Sequence, residues 1–282
     1  METEPEQTKK EPGRPKVYSD NLMVFALIIK FLMGLTYREL QGFLTSFFAD
    51  LRVKTPDFRT IHYRFKKLSE KLEKLSIDFD SLPNNFVIAI DSTGIKRYNR
   101  GEWNKKKHKK KSRKGWIKIH AAVDVESKQL VALEITEENI HDSKMAMPIV
   151  QKVETKAKNR GKKLDKVLAD KGYDTRNIFD KLKEKGIFAG IIPRKGSKVK
   201  GNSARDDAVR KIRRVGIKKY KEEIGYGKRN AVESFFSVFK RRFGEHVESR
   251  KWETIRAEIV LKAFIVSSFM KGNHSSLWCV GK

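Results

Sequence analysis

Asp91 closes the apolar run Phe86-Val-Ile-Ala-Ile90, and Asp170 closes a second, Val167-Leu-Ala169. Glu233 lies within Tyr226-Gly-Lys-Arg229-Asn-Ala-Val-Glu233-Ser-Phe-Phe-Ser-Val-Phe-Lys240, which reads as a helix. Two strand-end carboxylates and one helical carboxylate, brought together from distant parts of a chain, can hold a pair of divalent ions. Ions about 3.5–4 Å apart clamp both the attacking and the leaving oxygen of a phosphodiester. Taken singly, each aspartate reads as a turn residue or helix cap; the three together point to phosphoryl transfer. At about 100° per residue, Tyr226, Arg229, Glu233 and Lys240 fall within a sector of about 60°. Val232, Phe235, Phe236, Phe239 and Phe243 form the adjoining apolar face. The carboxylate is therefore expected at the edge of a core, facing a cleft, with Arg229 and Lys240 as cations able to hold phosphates. The competing reading is a surface helix with i, i+4 ion pairs. Gly225 and Gly227 leave open whether Tyr226 precedes the helix.

The substrate class follows from charge. The chain has 63 Lys plus Arg against 35 Asp plus Glu, a formal net charge of +28. Such an excess implies a polyanion, and nucleic acid is the usual one. A membrane surface is disfavoured because no basic amphipathic anchor stands out. Leu22–Leu35 is interrupted by Lys30 and is too short to span a bilayer. The single cysteine, Cys279, allows no intrachain disulfide, and no Cys/His spacing suits zinc. A reducing cytosolic compartment fits, and the acidic, polar N-terminus is not a signal peptide.

The carrying elements can be read from periodicity. Residues 1–18, with Pro5, Pro12 and Pro15, are expected to form a disordered arm. Within it Gly13-Arg-Pro-Lys16 is similar to the core of an AT-hook, which lies in the minor groove; the alternative is a plain solvated tail. Residues 19–78 read as a small helical, helix-turn-helix-like DNA-binding domain. Its first helix stops at Gly34. Thr36 and Glu39 form a capping box that opens the second. Thr55 and Pro56 are expected to open the third, which carries Arg59, His62, Tyr63 and Arg64 on its outer face as candidate DNA contacts. A helical bundle with a solvated charged face is the alternative. From residue 84 the pattern changes to three strands, then alternating helix and strand, then two long helices, over 84–272. The expected class is α/β: a mixed sheet with flanking helices, followed by a tail, 273–282.

Two basic stretches frame this second domain. One follows Asp91 and includes Lys105, Lys106, Lys107 and further cations, with Trp103 interleaved as a base-stacking group. The other runs from Arg194 to Lys228. Both read either as DNA contacts or as solvated loops.

The spacing Tyr226-x2-Arg229-x3-Glu233-x6-Lys240 resembles the Y-R-E-K signature of DDE-class insertion-sequence transposases of bacteria and archaea. Ala89-Ile-Asp91-Ser-Thr93, His120-Ala-Ala-Val-Asp124, Asn139-Ile-His-Asp-Ser143 and Ala169-Asp170-Lys-Gly-Tyr173 resemble the insertion-sequence-five group in particular. The likeness spans roughly residues 20–270. It implies a ribonuclease-H-like catalytic domain in which Asp91, Asp170 and Glu233 bind two Mg²⁺ ions, with Mn²⁺ as substitute. It further implies that activated water cuts at the element's terminal inverted repeats and that the freed 3′-hydroxyl joins target DNA. Double-stranded DNA is the implied partner, in a homodimer or higher assembly, with no membrane and no small-molecule substrate, in the nucleoid-bearing cytoplasm of a bacterium or archaeon. A nuclease or resolvase that cuts without joining, and a domesticated DNA-binding protein without catalysis, remain open.

Other acids call for restraint. Asp124 is expected in a hairpin turn, Asp142 as a helix cap after His141 or a group behind the site, and Asp174 as a cap or support beside Asp170. His141 could assist proton transfer but reads first as a packed histidine.

Overall fold

The computed structural model describes residues 17–51, 53–73, 79–97 and 115–272. Two compact units divide at Phe65/Lys66. In the N-terminal unit, α1 (Asp20–Met33) is capped by Ser19 and stops at Gly34, whose φ of 68° is the left-handed conformation that glycine adopts without a Cβ penalty. The capping box forms at the start of α2 (Tyr37–Phe47): the Thr36 N–H donates to Glu39 Oε2 at 2.7 Å and the Glu39 N–H to Thr36 Oγ1 at 3.3 Å. α3 (Phe58–Glu73) starts later than the Thr55–Pro56 signal implied. Asp57 makes the cap instead, accepting from the Arg59 N–H at 2.7 Å, and the Gln41 side chain takes the Phe58 N–H at 2.9 Å. Ile61 and Phe65 lie on its buried face.

The second unit is built on a mixed sheet of six strands: β1 (Asn85–Arg97), β2 (Trp116–Asp124), β3 (Leu130–Glu137), β4 (Lys163–Ala169), β5 (Phe188–Ile191) and β6 (His246–Val247). The order is β3-β2-β1-β4-β5, with β6 beside β1. β1, β2 and β3 are antiparallel, whereas β4 and β5 run parallel to β1. This is the ribonuclease-H-like arrangement. Asp124 closes the β2–β3 turn as expected, accepting from both the N–H and the hydroxyl of Ser127 at 2.7 Å.

Alternation along β1 divides the two faces. Phe86, Ile88 and Ile90 enter one core with Ile149, Val150 and Val153 of α4 (Asp142–Lys158) and with Ile178, Phe179 and Leu182 of α5 (Arg176–Glu184). On the other side α8 (Asn230–Phe243) packs on β1, β2 and α9 (Trp252–Gly272). Its Val232, Phe235, Phe236 and Phe239 are buried, as the apolar stripe implied.

Two helices appear where the sequence suggested a basic loop: α6 (Ala204–Val215) and α7 (Ile217–Ile224). Ser203 caps α6 with Asp206 and Asp207 in its first turn and Arg213 and Arg214 in its last, the charge order that a helix dipole favours. That order was hidden beneath the excess of cations. Asp142 is also placed differently: His141 is the N-cap, and Asp142 is the first helical residue.

Candidate active site

The sheet has a local break, and the candidate acids lie at it. β1 pairs with β4 up to Ile90↔Ala169, and with β6 only from Lys96↔His246 onward. Between these pairings, among the described residues, no strand lies beside the backbone of residues 91–95 on that edge. Asp91 is the first residue past the end of β4 pairing, and Asp170 directly follows the β4 residue paired to Ile90. The two aspartates are therefore neighbours in register at the end of adjacent strands, and strands in a sheet lie about 4.8 Å apart. Asp91 is not a strand end, however. β1 continues through Ser92-Thr93-Gly94, which stay paired to β2, so Asp91 stands within the strand and not at a turn. The unbroken β2 pairing holds this half of β1 extended.

Asp170 caps a short 3₁₀ turn, Lys171–Tyr173, its Oδ1 accepting the Gly172 N–H at 2.7 Å. A Cβ at Gly172 would sit 2.8 Å from that same oxygen, so a larger residue there would push the carboxylate aside. Asp91 Oδ1 accepts the Ser92 N–H at 2.8 Å. Burial pushes the Asp91 carboxyl above the usual range, and the Asp170 charge adds to this. The Ser92 N–H and Arg229 act the other way without cancelling it.

Glu233 sits in the first turn of α8. It is joined to Asp91 through Arg229, whose Nη1 donates to Asp91 Oδ2 at 3.0 Å and whose Nη2 donates to Glu233 Oε1. Tyr226 precedes α8, in a 3₁₀ turn (Tyr226–Arg229) that begins after Gly225, at φ 68°, ends α7. Arg229 closes that turn as the N-cap of α8 in right-handed helical conformation, so its pair with Glu233 has the i, i+4 spacing of a helix. The Tyr226 ring lies 5.5 Å from the Arg229 guanidinium carbon and backs it from behind. Lys240 forms an ion pair with Glu245 at 3.2 Å.

Behind the break lies a buried polar group that the sequence did not reveal. His120, opposite Ser92 on β2, has a fully buried ring. Its Nε2 meets Thr136 Oγ1 at 2.9 Å, while Nδ1 faces Asp142 Oδ1 at 3.9 Å, short of a hydrogen bond. Burial lowers its pKa to about 4, against the pull of Asp142. Asp142 is held by Lys118 Nζ at 3.1 Å. The buried Tyr173 hydroxyl is raised well above its usual range, first by burial and then by the charges of Asp91, Asp142 and Asp170.

The donor set suits a hard divalent cation: three carboxylates, two of them neighbours on adjacent strands, are the oxygen ligands that Mg²⁺ and Mn²⁺ prefer. Among the described residues the acids do not form one ligand cluster. The Arg229 guanidinium lies between Asp91 and Glu233 and contacts both.

The family described as transposase DDE domain matches residues 86–267, well over half of the chain, and a second family with the same description matches residues 1–100. The chain belongs to the DDE transposase family. A relative in Aquifex aeolicus (strain VF5), itself uncharacterized, is 28% identical over 276 residues, spanning 90% of this chain and 78% of its own. Solved structures similar to this transposase include the piggyBac transposase synaptic complex with hairpin DNA, at 8% identity and a TM-score of 0.45, covering 95% of this chain and 69% of the other. The Drosophila P element transposase strand transfer complex is similar at 10% identity and a TM-score of 0.34, covering 94% and 83%.

Of the other candidate contacts, Arg59, His62 and Tyr63 are exposed on α3. His62 stacks edge-on against Tyr37 at 5.2 Å. Arg64 is drawn inward, pairing with Asp20 and donating to the Tyr18 carbonyl at 3.3 Å. Trp103, Lys105, Lys106 and Lys107, and the AT-hook-like Gly13–Lys16, lie outside the described residues. Among those residues no single helix is long and apolar enough to cross a membrane, although α1 and α2 pass as a bent pair by length and composition alone.

Proposed function

We propose that this transposase binds the terminal inverted repeats of its element, cuts DNA there and joins the resulting 3′-hydroxyl to target DNA. The observation that carries this reading is the meeting of Asp91 and Asp170 at the break in the sheet, with Glu233 tethered to Asp91 through Arg229. Asp91, Asp170 and Glu233 would hold Mg²⁺, or Mn²⁺ in its place. Such ions, when bound, stabilise charge on a transferring phosphoryl group and lower the pKa of water.

The chain's own groups prepare that site. Burial and the Asp170 charge make the Asp91 carboxylate costly to keep ionised alone, so a cation is favoured there. Arg229 supplies one, and its contacts to both side chains align Asp91 with Glu233. Tyr226 limits where the guanidinium can move. Arg59, His62 and Tyr63 are the exposed groups proposed to read end sequences. The basic stretch containing Trp103, Lys105, Lys106 and Lys107 is proposed to neutralise phosphates and stack on unpaired bases near the cut. Two ends must be brought together, so the working form is proposed to be at least a homodimer on DNA, in a bacterial or archaeal cytoplasm.

The test is an Mg²⁺-dependent strand-transfer assay on a duplex carrying the inverted repeats that flank the gene. Cutting with joining supports the reading. Cutting without joining would make the protein a nuclease or resolvase, and binding alone a DNA-binding protein that has lost catalysis.

A further inference from the structure

We propose that the turn Arg194–Ser197 is a seat for one backbone phosphate of the DNA strand that passes on the Asp170 side of the site. This rests on the transposase reading above and adds a specific contact to it.

A cavity of about 400 Å³ opens beside Asp170, lined by Asp170, Lys171, Gly172, Arg194 and Lys195. Three of the five are cations, and the carboxylate already has one oxygen engaged by Gly172 N–H. The Lys171 and Lys195 side chains are exposed, and neither ammonium is paired with a carboxylate of the described residues. Arg194 is fixed differently. Its Nε donates to the Lys171 carbonyl at 3.2 Å, which orients the guanidinium and leaves both terminal nitrogens without a partner among the described residues. A planar fork with two free N–H₂ groups is the geometry that grips two oxygens of one phosphate.

The turn that presents these cations is held far more firmly than a connection between β5 and α6 requires. Ser197 N–H and hydroxyl both donate to the Arg194 carbonyl, at 3.1 and 2.7 Å, and Gly196 supplies the φ of 78° that closes the turn. The Arg194 N–H donates to Asp174 Oδ2 at 2.9 Å. The Asp174 side chain is fully buried, and Arg205 grips both its oxygens, Nε to Oδ1 at 2.6 Å and Nη2 to Oδ2 at 2.7 Å. Arg205 also reaches the Ser197 hydroxyl at 2.7 Å. Further along, buried Asp206 takes the Lys200 N–H at 3.2 Å and Arg176 at 2.9 Å. Burying two carboxylates to pin one surface loop has a large desolvation cost. A loop that must hold its cations ready for an anion recovers that cost, because little freedom is lost when the anion binds.

Arg194 and Lys195 are exposed, so replacing their side chains leaves the buried anchors in place. The test is phosphate interference with the full-length protein. Single methylphosphonates, which remove one charge each, are placed along both strands of the end duplex around the cut position, and binding is measured at fixed salt. In the wild type, one neutralised phosphate beside the cut should weaken binding about tenfold. In Arg194→Ala that same replacement should have less than a twofold further effect, while phosphates elsewhere stay as sensitive as before. Lys195→Ala should blunt the same position partially. Full sensitivity at every phosphate in Arg194→Ala, or no sensitive phosphate beside the cut in the wild type, would overturn the seat. Binding decides the seat, and wild-type cutting and joining of the unmodified duplex decide the transposase reading, so the two can fail separately.

Discussion

Removing the Arg229 side chain should tighten divalent-ion binding in the absence of DNA. The guanidinium bridges Asp91 and Glu233, so an ion binding between them must move it. The contact to Asp91 joins two largely buried side chains, 16% and 25% exposed. A hydrogen bond between charged groups in that setting contributes about 1.5–3 kcal/mol. Glu233 is 48% exposed, so solvent screening leaves its contact at about 0–1 kcal/mol. Full displacement thus opposes an ion by about 1.5–4 kcal/mol, where about 1.4 kcal/mol is a tenfold change in affinity. A guanidinium that swings aside and keeps one partner gives back much of this, so Arg229→Ala should bind Mn²⁺ about tenfold more tightly. The assay is a titration of DNA-free protein, with unbound Mn²⁺ read by electron paramagnetic resonance. Affinity within twofold of wild type, or weaker, would refute the placeholder role. Strand joining by the same variant should still slow, by roughly ten- to a hundredfold, if the displaced guanidinium then contacts a phosphate in the transition state.

Lys240→Ala should change strand joining by less than about twofold, because its partner is Glu245 in a solvent-screened pair; a larger loss would return Lys240 to the phosphates. Replacing Arg59 and Tyr63 together with Ala should erase preference for end sequences in a competition binding assay while leaving salt-sensitive background affinity; unchanged selectivity would move recognition elsewhere. His120 titrates at about 4 in the fold against 6.5 when free. The unfolded chain therefore takes up its proton first as pH falls. The stability involved is intact above pH 6.5 and is lost progressively toward pH 4, on the order of 3 kcal/mol in all. In His120→Gln, denaturant melts over that range should show a flatter acid limb, and an unchanged slope would assign the acid loss to other groups.

The acids were legible because their signals are local. A carboxylate after an apolar run marks a place where a strand leaves the core, and the α8 stripe announces its buried side. What escaped depends on pairing across the chain. That β1 runs on past Asp91 follows from β2 continuing beside it, and the opening beside Asp91 follows from β4 ending and β6 arriving late. No property of Ser92-Thr93-Gly94 alone reports this. Helical spacing placed Arg229 on one face with Glu233, and the two do pair as i, i+4, but Tyr226 lies in the 3₁₀ turn before α8, and the second contact of Arg229, to Asp91, depends on β1 lying beside the helix. The helices α6 and α7 were masked by their cations, although the Ser203 cap and acid-first, base-last order were there to be read. His120 and Asp174 gain their meaning from Asp142 and Arg205, partners 22 and 31 residues away that only the fold brings near.

The most direct test of the central claim is strand transfer by Asp91→Ala, Asp170→Ala and Glu233→Ala beside the wild type, on the same end duplex with Mg²⁺, with binding measured in parallel. The account predicts that the wild type cuts and joins, and that each variant does neither while binding the end nearly as well, since no one of these carboxylates is a phosphate contact. Near-normal Mg²⁺-dependent cutting by any one of the three variants would contradict it.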